Sequence, residues 1–186
     1  MYNIDEINLL IKYNMVSDYL FTYHTKLSGL KDCNSDLLRK FKLGDQNSIS
    51  IILPMIEKYL LTNIFNNTLL IPIPSCNKNK INTITKITPL LCDVASHLFN
   101  GSNTLKKVFS TPSFCASGYR NIKLLKKSIR ADGDITSYNI LLLDDVSSTG
   151  KTFKTIASLL YELNPKSITC LSIGKTFINN IKNLKQ

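Results

Sequence analysis

The run Ile140-Leu141-Leu142-Leu143, followed at once by Asp144-Asp145, constrains this chain more than any other stretch. Four aliphatic residues without alternation describe a strand buried on both faces, as in a parallel sheet covered by helices. Residues 138–145 (YNILLLDD) are therefore predicted as a central strand. Apolar residues at helical spacing over 151–163 (KTFKTIASLLYEL) predict the helix after it. Residues 167–176 (SITCLSIGKT) and 68–73 (TLLIPI) give two more buried strands, the second closed by prolines. This order argues for an α/β fold: an open, mainly parallel sheet flanked by helices.

The remaining segments are read more coarsely. Residues 34–45 (NSDLLRKFKLGD) form a short helix that stops at Gly44, and 47–65 form a second, with Pro54 in a first turn or at a kink. Residues 85–99 (TKITPLLCDVASHLF) have helical periodicity, 104–110 (TLKKVFS) suggest a short strand, and 110–137 read as a long loop with helical pieces. Within 3–32, IDEINLLIKY has helical spacing, whereas VSDYLFTYHTKL has the aromatic and β-branched content of a strand. The expected organisation is an N-terminal helical or mixed segment, 1–66, packed on a core, 67–178, with a tail, 179–186. Tyr13, Tyr19, Tyr23 and His97 are assigned to core or interface.

Gly150-Lys151-Thr152 invites a nucleotide-binding P-loop, but that motif requires a glycine where Asp145 stands. Gly174-Lys175-Thr176 fails in the same way, because residue 169 is Thr. The alternative begins from the layout. Ligands of open α/β sheets sit at the carboxyl ends of the strands. There Asp144 and Asp145 precede a turn of Val146, Ser147, Ser148, Thr149, Gly150, Lys151 and Thr152 that enters a helix. A helix N-terminus with exposed N–H groups and hydroxyls suits a phosphate, and a glycine lets the backbone approach it. The carboxylates suit the other end of the same ligand, a pair of sugar hydroxyls or a divalent cation. A sugar 5-phosphate has both ends. Helix capping by itself accounts for one Ser or Asp and leaves two carboxylates and the hydroxyl run unexplained.

The chain carries 23 Lys and Arg against 13 Asp and Glu, a net charge of +10. Such a surplus points to an anionic ligand, nucleic acid or an anionic membrane surface. Between residues 101 and 131 stand Lys106, Lys107, Arg120, Lys123, Lys126, Lys127 and Arg130, with no acidic residue. A cationic stretch of this kind suits an anionic ligand, with a solvated basic loop as the plain alternative and nucleic-acid contact less favoured. The five cysteines have no CxxC spacing, which favours free thiols and a cytoplasmic location over disulfides or zinc. Asp5 and Glu6 precede any apolar run, so no secretory signal is expected, and no apolar stretch is long enough to span a membrane.

The stretch ILLLDDVSSTGKT resembles the phosphoribosyl-pyrophosphate (PRPP) motif of type I phosphoribosyltransferases: four hydrophobics, two acidics, then a hydroxyl-rich turn with Thr-Gly and a following Thr. LLIPIPS is similar to the strand before the pyrophosphate loop in the competence-protein ComF branch of that superfamily. LLRKFKLGD resembles its upstream lysine-containing helix, and KKVFSTPSFCASGYRN a later region of it. The resemblance implies a phosphoribosyltransferase-like fold and a transferase. It would bind PRPP with Mg²⁺, pass phosphoribose to a nitrogen acceptor and release pyrophosphate. Asp144 and Asp145 would bind the ribose hydroxyls and Mg²⁺, and Ser147 to Thr152 the 5-phosphate. Ser75, Cys76, Asn77 and Lys78 would form the pyrophosphate loop. Residues 105–135, with Lys106, Lys107 and Arg120, would form a hood, and a homodimer is possible. The chain departs from the pattern in three ways. Ser148 replaces an acid common in relatives acting on 6-oxopurines; the branch's Arg-Gly-Phe-Asn stretch is missing; so is its zinc module. A PRPP-binding sensor that contacts nucleic acid or a protein partner is the alternative function.

Overall fold

The computed structural model describes residues 17–24, 32–63, 66–112 and 121–176. Among these residues β1 (Ser17–Tyr23), β2 (Thr68–Pro72), β3 (Leu98–Asn100), β6 (Asn139–Ser147) and β7 (Ser167–Thr176) form one parallel sheet. Their order across it is β1-β7-β6-β2-β3. The helices are α1 (Cys33–Leu43), α2 (Gln46–Asn63), α3 (Thr83–Cys92), α4 (Ile122–Lys127) and α5 (Lys151–Tyr161). A small antiparallel pair, β4 (Leu105–Lys107) with β5 (Ile129–Ala131), stands apart from the sheet. The α/β reading of the sequence is therefore the fold.

Burial explains why the aliphatic run needs no alternation. Down β6, Ile140 and Leu142 enter a core with Phe153, Ile156 and Leu160 of α5, together with Leu105 and Ile129 from the small pair. Leu141 and Leu143 enter a second core with Leu38 and Phe41 of α1, Ile52 and Ile56 of α2, and Ile84 and Ile87 of α3. Both faces of the strand are covered, so every position between 140 and 143 is apolar.

The turn chemistry sets the helix ends. Asp32 and Asn82 accept from the N–H groups of Ser35 and Thr85, at 2.9 Å each, and so cap α1 and α3. Asp45 does the same for Ser48 at the start of α2. Each such cap contributes about 1 kcal/mol. Gly44, with φ of 82°, ends α1 in the left-handed conformation that glycine adopts without strain.

Several elements differ from the sequence reading. The helical periodicity over 85–99 ends at Cys92, and Leu98–Asn100 pair with β2 as an edge strand. Pro54 lies deep inside α2 on an exposed face rather than in its first turn. Within 110–137, read as a loop with helical pieces, α4 is such a piece, whereas β5 is a strand that the sequence reading did not include. The strand content of VSDYLFTYHTKL prevails over 17–23, because β7 offers it an open edge. Tyr13 lies outside the described residues.

Candidate functional site

The parallel sheet brings its carboxyl ends to one edge, where the chemistry suggested by the sequence gathers. Pro72 of β2 stands in register with Leu143 of β6, and the Ile73 N–H donates to the Leu143 carbonyl at 2.8 Å. The segment from Ser75 onward therefore leaves β2 beside the point where Asp144 and Asp145 leave the buried part of β6. Alternation along β6 divides that pair. Asp144 continues the row of Ile140 and Leu142 toward α5, and it is among the groups that push the buried Cys170 thiol upward, after burial itself. Asp145 continues the row of Leu141 and Leu143 toward α1, where it meets a lysine.

That lysine is Lys42, in the last turn of α1, with Nζ 3.2 Å from Asp145 Oδ1. Burial works against its ammonium, but the Asp145 and Asp144 carboxylates outweigh it and hold Lys42 above the usual lysine range. The Tyr23 ring stands beside it, with its centroid 5.9 Å from Nζ and 5.8 Å from Arg39 Cζ. A part-exposed ion pair contributes at most about 1 kcal/mol. Full burial of Leu38 and Phe41 on the same helix contributes about 1.5–3 kcal/mol each. Packing therefore seats α1, and Lys42 follows.

The turn from β6 into α5 has a different end from the other long helices. Gly150 stands at the N-cap with φ of 70°, and no side chain caps α5. The Lys154 N–H returns to the Gly150 carbonyl at 3.0 Å, which leaves the preceding N–H groups directed at the helix mouth. Ser147 is buried, Ser148, Gly150 and Thr152 are half-buried, and Thr149 and Lys151 are exposed. A Cβ at Gly150 would meet nothing within 4 Å. The turn is open on its outer side, and conformation rather than crowding selects glycine there.

A second group forms a cleft of about 260 Å³ beside β2. Ser75, Asn77 and Lys78 line it from one wall and Lys106 and Lys107 from the other, with Lys80 and Ser102 between. The walls are tied together. The Lys78 N–H donates to Ser110 Oγ at 3.0 Å, and the Thr111 N–H donates to the Cys76 carbonyl at 2.8 Å. Lys107 Nζ donates to Thr111 Oγ1 at 3.0 Å and to Ser128 Oγ at 2.9 Å, while Lys106 reaches Asp132 at 3.5 Å. Ser102 Oγ is buried with no hydrogen-bond partner among the described residues. Asp144, Asp145, the Gly150 turn and Cys76 do not line this cleft. Arg120 lies outside the described residues.

The donor set bears on a divalent cation. Among the described residues no group of three His, Cys, Asp or Glu side chains comes together. Two carboxylates fit Mg²⁺ only in the manner usual for that ion, with waters and ligand phosphates completing its octahedron. Lys42, Lys80 and Ser102 were not singled out by sequence reasoning. Lys42 lies in the quoted LLRKFKLGD helix, but its contact crosses from that helix to a strand about a hundred residues on, a distance that no local pattern carries.

No protein-family model matches the sequence, and a search of curated proteins finds no match. Among solved structures, the chain is similar to a hypoxanthine phosphoribosyltransferase from Staphylococcus aureus in its orthorhombic crystal form. The TM-score is 0.40 at 13% identity, over 84% of this chain and 83% of that one. The tetragonal form of that enzyme gives a TM-score of 0.39 at 14% identity, over 83% and 82%. Among the described residues no helix is long and apolar enough to cross a membrane.

Proposed function

We propose that the chain is a phosphoribosyltransferase-type protein that binds PRPP and transfers its phosphoribose to a nitrogen acceptor. The observation that carries this reading is the uncapped mouth of α5. It opens through a left-handed Gly150 directly after two carboxylates, at the carboxyl edge of a parallel sheet. Such a mouth attracts a phosphate, and the carboxylates next to it accept from sugar hydroxyls.

In this reading Ser147 to Thr152 hold the 5-phosphate, and Asp144 and Asp145 orient the ribose. The lysine-lined cleft, with Lys78, Lys106 and Lys107, takes the pyrophosphate end. The acceptor nitrogen forms a bond to the anomeric carbon as the bond from that carbon to pyrophosphate oxygen breaks. The electron pair leaves on pyrophosphate, and the nitrogen's proton passes to that departing anion. The lysines stabilise the charge gathering on the leaving group, and the fixed turn holds the sugar in line. Mg²⁺ carried in on the pyrophosphate, with Asp144 and Asp145 as its protein ligands, would neutralise part of that charge.

A sensor that binds PRPP without turnover is the second reading. Ser148 favours it, because the turn Ser147–Thr152 supplies no group that exchanges a proton near neutral pH. Calorimetry with PRPP and Mg²⁺, followed by a pyrophosphate-release screen over nitrogenous bases, tests both. Binding with release from one base supports the transferase; binding with no release from any base supports the sensor. Failure to bind PRPP or ribose 5-phosphate overturns both.

A further inference from the structure

Lys42 belongs to α1, outside the strand and turn that build the sugar-phosphate site, yet it reaches the acidic pair. Its side chain is one-third exposed, at 33%, and that of Asp145 is 27% exposed, so neither group sweeps freely through solvent. The end of α1 is fixed from three sides. Gly174 of β7 lets the helix lie close against the sheet: a Cβ there would stand 2.6 Å from Leu38 Cδ2. Thr83 Oγ1 donates to the Phe41 carbonyl at 2.8 Å, one residue before Lys42. Gly44 then stops the helix. The Tyr23 ring stands beside the ammonium, its centroid 5.9 Å from Nζ.

We infer that Lys42 is the resident counter-cation of Asp145, and that a divalent cation reaches this carboxylate only by displacing it. The inference rests on the sugar-phosphate reading above and adds a rule for how the cation enters. An ammonium paired with Oδ1 of the carboxylate and a divalent ion bound to the same group share one negative charge, and the two cations repel at contact distance. Among the described residues no third carboxylate, histidine or thiolate joins the pair to hold an ion against that competition. A phosphate-bearing ligand changes the balance twice. Its oxygens add ligands for the divalent ion, and they offer the displaced ammonium a new acceptor. The cation therefore enters with its ligand rather than ahead of it.

The test uses Mn²⁺ as the probe, titrated into the whole protein without sugar phosphate and followed by the loss of its free-ion electron paramagnetic resonance signal. Four proteins are compared: wild type, Lys42→Met, Lys42→Gln and Lys40→Met. Lys40 is exposed on the same helix, so its loss lowers the net charge equally without touching Asp145. Mn²⁺ affinity rises about tenfold or more in a Lys42 variant and stays at the wild-type value in Lys40→Met. Lys42→Gln, closer in polarity, serves if the methionine variant does not fold. Unchanged Mn²⁺ affinity on loss of Lys42, or an equal rise in Lys40→Met, overturns the inference. Ribose 5-phosphate binding is measured separately on the same samples. Its absence from every protein sinks the sugar-phosphate reading whatever Mn²⁺ does, so the two failures are told apart.

Discussion

Lys42 on α1 and Asp145 on β6 meet at 3.2 Å across the mouth of the sheet, an ammonium from the N-terminal part of the chain closing on the strand that leads into the α5 turn. The contact ties the acidic pair to a helix held by apolar packing and by the Thr83 hydrogen bond to the Phe41 carbonyl. It also separates the two carboxylates by role, since Asp144 faces the α5 side.

Replacing Asp144 or Asp145 by Asn removes a charged acceptor from the sheet's edge without opening a cavity. Each substitution is expected to weaken PRPP binding roughly tenfold or more, the loss of a charge-assisted hydrogen bond of about 1.5–3 kcal/mol. Thermal midpoints should change little, because the Lys42 pair is part-exposed. Calorimetry on both variants checks this; undiminished affinity in both removes the ribose and metal assignment.

Gly150→Ala is a conformational test with no steric component, because nothing lies within 4 Å of the added carbon while φ is 70°. The strain is about 1–2 kcal/mol. Ribose 5-phosphate affinity should fall while the fold persists. Lys151→Ala, which removes an exposed side chain, should have little effect. Tight ATP binding lost in Lys151→Ala would instead indicate a P-loop.

Gly101 is a glycine for the opposite reason. A Cβ there would stand 2.7 Å from Ile71 Cγ1 and 2.8 Å from the Leu70 carbonyl oxygen. Gly101→Ala is therefore expected to cost about 1–3 kcal/mol, as overpacking does. Urea denaturation reads the loss, and a midpoint equal to wild type would mean that β3 moves aside freely.

Tyr59 makes stability depend on alkaline pH. Burial first, then the charge of Asp18 and a hydrogen bond to it, push the phenol from an ordinary 10.0 up to about 12. The folded protein keeps this proton where the unfolded chain releases it. The contribution is complete below pH 10 and is lost as pH rises toward 12. Tyr59→Phe should flatten the fall in stability over that window relative to wild type. Parallel curves would show that the phenol titrates alike in both states.

Legibility followed the range of the interactions. The buried strand of Ile140–Leu143, its helix and its turn are written in contiguous residues, so the α/β fold could be read directly. The edge strand Leu98–Asn100 could not. Its three residues pair with β2 only because the chain reverses after α3, and locally they continue a helical periodicity. In the site, the hydroxyl run and the carboxylates announce themselves. Lys42 reaches them through the closeness of Leu38 to Gly174 and the grip of Thr83 on Phe41, which is tertiary information. The lysine cleft lies between: its charges were visible in composition, but its wall contacts, such as Ser110 with Lys78, were not.

The neighbour of β1 is β7, the last described strand, and Asp18 and Ser172 meet across 154 positions of sequence. Pairing over such a separation forms late, because the intervening chain must first be ordered. During synthesis the first strand emerges long before its partner exists and must wait, while β2, β3 and β6 can already associate. A nascent chain stalled before residue 167 would thus have its central strands made and its β1 edge unmatched. The last event of assembly among the described strands would be the docking of β1 onto β7.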